Sequence, residues 1–285
     1  RAAQGRLDPA EAEAIAARLT PVASAADLPA CVVVVEAIVE DLEVKGELFA
    51  ELGRTQPADT ILATNTSSLS IDAIAPAAAH PERVLGLHFF NPPPVMKLVE
   101  VVRGAVTHPD VLDAATRLVK DWGKVPVRCA STPGFIVNRV ARPFYGEAQR
   151  MVEAGQGSPA AIDACLRSVG FRMGPLELTD LIGQDVNLAV GTSVWNQTQR
   201  DPRYAPTAYQ RELVAAGRLG RKSGRGVYAY AADGTAEGAT ADPDEVARLL
   251  AAGPAGNPVT RTLAMLVNEA VDLVDRGEAG SADVD

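Results

Sequence analysis

The sequence predicts an α/β domain built on a parallel β-sheet, followed by an all-α helical domain and the start of a second helical repeat. Three observations carry this. Up to residue 131, apolar β-branched runs alternate with helical patterns, the order that yields a sheet layered with helices. From Thr132 onward the apolar spacing turns helical. Within that second part, Arg139, Glu147, Ala148, Val152, Gly155 and Asp163 recur at a constant offset of 122 as Arg261, Glu269, Ala270, Val274, Gly277 and Asp285. One register held across six matches is the mark of an internal duplication.

The elements follow in order. Asp8, Pro9 and the acids Glu11 and Glu13 begin a capped helix over 8–18. Cys31 to Ile38 is an unbroken β-branched run, which predicts a strand buried on both faces, ended by Glu40. A helix follows whose inner face is Val44, Leu48 and Leu52. Strands are expected at 61–66, 84–90, 97–102 and 125–129, with helices near 70–78 and 109–122. Pro133-Gly134 opens a long helix that Pro143 should kink. Helical patterns continue at 159–169, 175–198 and 213–219, and a basic, glycine-punctuated loop runs from Gly220 to Gly226. Residues 231–243 have no periodicity and are rich in Ala, Gly, Asp and Thr, as a linker would be. The expected division is therefore a sheet domain over 1–131, a helical domain over 132–230, a linker over 231–256 and the start of a second helical copy over 257–285.

Composition narrows the functional classes. Apolar residues make up 47% of 285, ordinary for a folded chain with room for two cores. The net charge of −9, with Lys and Arg scattered rather than clustered, argues against a nucleic-acid surface. No apolar run reaches the roughly 18 residues of a membrane helix, and Arg1 to Glu13 lacks the apolar centre of a signal peptide. A cytoplasmic protein is expected. Cys31, Cys129 and Cys165 are odd in number and widely spaced, which predicts three buried thiols rather than a metal knuckle or redox pair. Catalysis, if present, falls to organic acid–base groups or a bound cofactor.

In an open parallel sheet, ligands bind at the carboxyl ends of the strands. Polar residues collect there: Glu40 after the first strand, Asn65 and Ser67 after the second, His88 and Asn91 after the third. Asn65 alone is ordinary turn chemistry. A lone histidine on an apolar strand is more often a core residue than a catalyst. Glu100 on the neighbouring strand changes that reading, because a carboxylate on one ring nitrogen fixes the tautomer and leaves the other nitrogen free to accept a proton. The apolar flanks Leu98, Val99, Val101 and Val102 speak for a buried Glu100, and burial demands a partner. Asn138, one turn into the helix after Gly134, reaches across the domain boundary to a substrate carbonyl or else bridges local backbone; the sequence leaves both open. His80 and His108 lie in Pro-adjacent loops and receive no role. No G-x-G-x-x-G follows a strand; the nearest match, at Gly155, is a helix stop.

With these residues assembled, the chain resembles the 3-hydroxyacyl-CoA dehydrogenases. The matching strings are Val35 to Glu40, Thr64 to Leu69, Gly86 to Pro92, Lys97 to Val101, Thr132 to Arg139 and Gly174 to Asp180, in the family's order. Arg139 to Tyr145, Asp180 to Asn187 and the duplicated helical segment are similar to the phenylacetate-pathway 3-hydroxyadipyl-CoA dehydrogenases and their 3-hydroxybutyryl-CoA relatives. The resemblance implies NAD-dependent oxidation of an (S)-3-hydroxyacyl-CoA to the 3-ketoacyl-CoA between the two domains. It implies that His88 takes the hydroxyl proton, Glu100 orients His88, Ser67 hydrogen-bonds the reacting oxygen and Asn138 holds the substrate near its carbonyl. Glu40, Lys45, Asn65 and Asn91 are implied on the nicotinamide side, with Lys222 near the cofactor, and a homo-dimer through the helical domain.

The departure is at the front, where the family's first strand, glycine loop and ribose-binding acid have no counterpart. The expectation is a truncated Rossmann-type sheet, a piece of a longer product cut at both ends, that binds NAD poorly or not at all. Two other readings compete with the dehydrogenase. One is a non-catalytic binding or structural homologue like the lens crystallins related to this family, against which the intact His88 and Glu100 speak. The other is a component of a larger fatty-acid oxidation polypeptide.

Overall fold

The computed structural model describes residue 5 and residues 7–285; residues 1–4 and 6, the front of the domain expected from residue 1, lie outside the described residues. The first half is a five-stranded sheet in the order β1-β2-β3-β4-β5, formed by Val33–Glu36, Ile61–Thr64, Val84–Phe89, Leu98–Arg103 and Val125–Ala130. The sheet is mixed rather than parallel throughout. β1, β2 and β3 run parallel, as do β4 and β5, but β3 and β4 are antiparallel because only a short proline-rich turn joins them. Gly86 on β3 is obligatory, since a Cβ there would stand 2.8 Å from Val102 Cβ.

Helices α1 (Pro9–Ala16), α2 (Leu42–Thr55), α3 (Ile71–Ile74) and α4 (Pro109–Asp121) accompany the sheet. Asp8 caps α1 through the Ala10 and Glu11 amides, and Asp41 caps α2 in the same way. Two expectations are corrected here. β1 spans only four residues and is not buried on both faces: among the described residues it is the outer strand of the sheet, and its Val35 is 38% exposed. The inner face of α2 is Lys45, Phe49 and Leu52 rather than one led by Val44, which is exposed. An aliphatic stem carries Lys45 inward to the buried carboxylate of Glu36, 2.6 Å away, and this rotates the helix by about one residue.

The helical half comprises α5 (Val137–Val140), α6 (Arg142–Glu153), α7 (Pro159–Ser168), α8 (Pro175–Ile182), α9 (Gln184–Gln197) and α10 (Ala208–Ala215). The kink expected at Pro143 is a full break at Ala141, with Pro143 taking a place in the first turn of α6, where no amide donor is needed. Gly183, at φ 105°, divides the single helix expected over 175–198 into α8 and α9. The half is not all-α: β6 (Ala229–Tyr230) and β7 (Ala236–Glu237) form a small hairpin. The segment expected as a linker thus carries β7 and then α11 (Pro243–Leu250), whose Leu249 is 1% exposed in the core of the helical half.

Residues 258–275 form α12 and Ser281–Val284 form α13. α12 packs along α5 and α6, so the repeat lies against its own image. Gly155 and Gly277 end their helices with nearly equal φ, 62° and 67°. Met151 and Leu273, also images, are both 0% exposed. The contacts are reciprocal: Arg139 stands 3.5 Å from Glu269, and Arg261 pairs with Glu147. Beyond α12 the chain meets the sheet edge, where Cys129 bridges Ala279 and the Ala130 amide donates to Glu278 O at 2.7 Å. Cys129 and Cys165 are buried as expected, whereas Cys31 is only half-buried, its thiol donating to Pro29 O at 3.1 Å.

Candidate active site

His88, next to the last residue of β3, and Glu100 on β4 are directly opposed in the antiparallel register. Opposed residues place their side chains on one face, within about 5 Å at Cβ. His88 Nδ1 lies 2.5 Å from Glu100 Oε2. An ionised carboxylate only accepts, so Nδ1 carries the proton and Nε2 keeps its lone pair. No hydrogen bond engages Nε2 among the described residues. The rings of Phe90 and Phe135, with centroids 4.6 and 5.8 Å from that of His88, wall the imidazole, which is 5% exposed.

Glu100 is 0% exposed and fully satisfied. Its second oxygen, Oε1, accepts from the Ile136 and Val137 amides at 2.9 and 2.8 Å, at the entry to α5. One carboxylate therefore ties the sheet to the helical half and aims the histidine. The two amides went unnoticed in the sequence, because backbone donors leave no residue signature; the Pro133-Gly134 turn that presents them was the available signal. Phe135, at φ 49°, completes that turn.

Asn138 extends from α5 across the boundary, its amide Nδ2 3.5 Å from Ser67 O. Ser67 follows β2, and its own amide donates to Glu40 Oε1 at 3.1 Å. That oxygen also accepts from the Thr66 hydroxyl at 2.5 Å, the Ser68 amide at 3.2 Å and the Ser68 hydroxyl at 3.0 Å. Burial pushes the Glu40 carboxyl up, but these donors and the nearby Lys45 charge more than offset it, holding the group below its ordinary range. Lys45 lies 2.6 Å from Glu36 and 3.3 Å from Glu40, itself 1% exposed, so its charge is internally balanced. Asn65 accepts from the Phe89 amide at 2.8 Å and pins the end of β3.

Glu40, Lys45, Asn65 and Ser67 line a cavity of about 380 Å³ at the carboxyl ends of β1 and β2, closed on the far side by Val186, Ala189 and Val190 of α9. His88, Glu100 and Asn138 are not among its lining, and two residues expected on the cofactor side also stand apart from it. Asn91 is exposed in the turn after β3, and Lys222 is bound to Asp185 at 2.5 Å; neither lines the cavity. Val186 and Val190 were missed, since on α9 they read as ordinary helical apolar residues.

Comparison with known proteins agrees with this geometry. Residues 1–132 match the 3-hydroxyacyl-CoA dehydrogenase NAD binding domain, and residues 134–230 match the C-terminal domain of the same enzymes. A 3-hydroxyadipyl-CoA dehydrogenase of Escherichia coli is 55% identical over 82% of this chain and 49% of its own length, so the chain spans about half of that relative. A probable 3-hydroxybutyryl-CoA dehydrogenase of Deinococcus radiodurans is 43% identical over 72% of this chain and 73% of its own. The crystal structure of 3-hydroxybutyryl-CoA dehydrogenase from Escherichia coli K12 superposes with a TM-score of 0.86 at 40% identity, covering 100% of this chain and 77% of that one. The chain belongs to the 3-hydroxyacyl-CoA dehydrogenase family.

Proposed function

We propose that this chain oxidises an (S)-3-hydroxyacyl-CoA to the 3-ketoacyl-CoA, with NAD as hydride acceptor. The observation that carries it is the His88–Glu100 pair, which leaves Nε2 as a base at the boundary between the two halves. In this reading Nε2 takes the hydroxyl proton, and the adjoining carboxylate stabilises the imidazolium that forms. Three donors, the His88 ring and the Ile136 and Val137 amides, hold Glu100 in place beside the imidazole. Ser67 hydrogen-bonds the reacting oxygen, and Asn138 steadies the substrate near its carbonyl.

The cavity beside Ser67 fits the nicotinamide end of NAD: its apolar walls Ala37, Ile38, Val186 and Val190 accept a flat ring, and Glu40 and Asn65 supply polar edges. Glu40 and Asn65 would hold the ring's edge there, and NAD would supply the hydride acceptor. Lys45, which also lines the cavity, holds Glu40 and Glu36 in place at its edge. Asn91 and Lys222 lie outside that cavity, and for them a cofactor role rests on the resemblance alone. No G-x-G-x-x-G follows a strand in these 285 residues, so the pyrophosphate half finds no such cradle in them.

The organisation proposed is that of the sequence: a cofactor domain over 1–131, a helical domain over 132–230, and a second helical copy from 257, with 231–256 packed on the helical core rather than free. The reciprocal Arg139–Glu269 and Arg261–Glu147 pairs support the copy. A homo-dimer is proposed from the resemblance. A cytoplasmic location is proposed from three free cysteines, which suit a reducing compartment; no helix among the described residues is long and apolar enough to cross a membrane. NADH formation from (S)-3-hydroxybutyryl-CoA or (S)-3-hydroxyadipyl-CoA at saturating NAD tests the reading. Turnover with the (S) and not the (R) substrate is expected; no NADH with either would refute it.

A further inference from the structure

α5 is a single turn of helix that carries Asn138. So short a helix does not hold itself in water, and its neighbours must fix it. One end is held by Glu100, which accepts from the Ile136 and Val137 amides. The other end is the break at Ala141. In an unbroken helix the Arg142 amide would meet the Asn138 carbonyl, four residues back. Here the helical ladder stops with the Ala141 amide on Val137 O at 2.9 Å. The Arg142 side chain takes over instead, its Nε donating to Asn138 O at 3.2 Å.

The same guanidinium reaches α9. Its Nη1 donates to Asn187 O at 3.2 Å, beside Val186 and within a turn of Val190, the apolar wall of the cavity next to Ser67. Arg142 forms no ion pair among the described residues, so its hydrogen bonds go to carbonyl oxygens of two different elements. A planar guanidinium offers its donors in a rigid fork, and two carbonyls bound to one fork keep a fixed separation. The Tyr145 ring, with its centroid 4.9 Å from Arg142 Cζ, holds the plane of that fork.

We propose that Arg142 is a positioning residue, which sets Asn138 toward Ser67 and braces α9 at the same time, so that the substrate contact and the cofactor wall keep one spacing. This rests on the dehydrogenase reading, in which Asn138 steadies the substrate and the cavity takes the nicotinamide end of NAD. Arg142 acts through both neighbours and touches neither ligand. Without it the Asn138 carbonyl loses its donor at the break, and α5 is held from the Glu100 end alone. A shift of about 1 Å at a substrate contact can cost up to roughly 100-fold in rate.

The test measures kcat and the KM values for (S)-3-hydroxybutyryl-CoA and NAD in the parent, Arg142→Met, Arg142→Lys and Leu249→Ala. Arg142→Met should raise both KM values roughly 10-fold. Arg142→Lys, whose ammonium holds one carbonyl but lacks the fork that spans two, should fall between, and it carries the comparison if Arg142→Met does not fold. Leu249→Ala opens the helical core away from α5 and should lower the melting temperature with both KM values unchanged, which separates positioning from stability. KM values equal to the parent's in the folded Arg142 variants overturn the assignment, and a rise in only one of the two overturns the brace. If the parent forms no NADH, the dehydrogenase reading fails, and calorimetric titration with acetoacetyl-CoA decides the positioning alone. Weaker binding by the Arg142 variant than by the parent supports it; equal binding, or none by the parent, overturns it.

Discussion

Glu100 accepts from His88 with one carboxylate oxygen and from the Ile136 and Val137 amides with the other, so a single buried group orients the imidazole and joins the two halves of the chain. Replacing Glu100 with Gln puts an amide donor where only acceptors fit. The expected result is a fall in kcat exceeding any rise in KM for acyl-CoA. A raised KM at parental kcat would instead make Glu100 a binding residue.

Arg139 and its three carboxylates offer a test of the repeat packing. Glu269 is 0% exposed and Arg139 4%, with Asp272 and Glu278 also paired to it. Arg139→Met should cost about 1–3 kcal/mol, because it removes the guanidinium that three carboxylates share while Glu269 keeps Arg203 at 2.8 Å. Arg276→Ala, which removes an exposed partner of Asp272, should cost under about 1 kcal/mol. Chemical denaturation of both variants reads the contrast, and equal losses would count against the buried cluster.

Stability should depend on pH through Asp163. Burial raises its carboxyl to about 6, against an ordinary 3.8, despite hydrogen bonds from the Leu176 amide, the Tyr228 hydroxyl and the Glu177 amide. The folded chain therefore holds this proton more tightly than the unfolded chain. The resulting stabilisation is complete below the ordinary value and is lost as pH rises through about 6. The difference corresponds to roughly 2–3 kcal/mol. Asp163→Asn should flatten the dependence of melting temperature on pH between about 4 and 7, whatever it does to absolute stability. A slope identical to the parent's would contradict this.

Gly86→Ala should destabilise by about 1–3 kcal/mol, since the new methyl meets Val102 Cβ at 2.8 Å across the β3–β4 pair. Thermal melts measure it. A neutral effect would mean that the strands can part without cost.

Much of this was legible in the sequence because its signals are local. The runs around Leu87 and Val99 fix two neighbouring strands, and the short turn between them sets His88 against Glu100. What escaped depends on tertiary position. The exposure of Val35 follows from the place of β1 at the sheet edge, which a run of valines does not declare. The inner face of α2 turned on Lys45, which counts as polar in any periodicity yet is buried against Glu36. The hairpin and α11 hid in a segment of low complexity, where only Val246 and Leu249 mark a buried face. Lys222 came from the resemblance, and its charge is taken by Asp185.

The central claim is that His88 is the base. Single-turnover and steady-state rates of His88→Gln, at saturating NAD and (S)-3-hydroxyacyl-CoA, test it most directly. A fall of roughly 100-fold or more with substrate binding near that of the parent is expected; a rate equal to the parent's would contradict it.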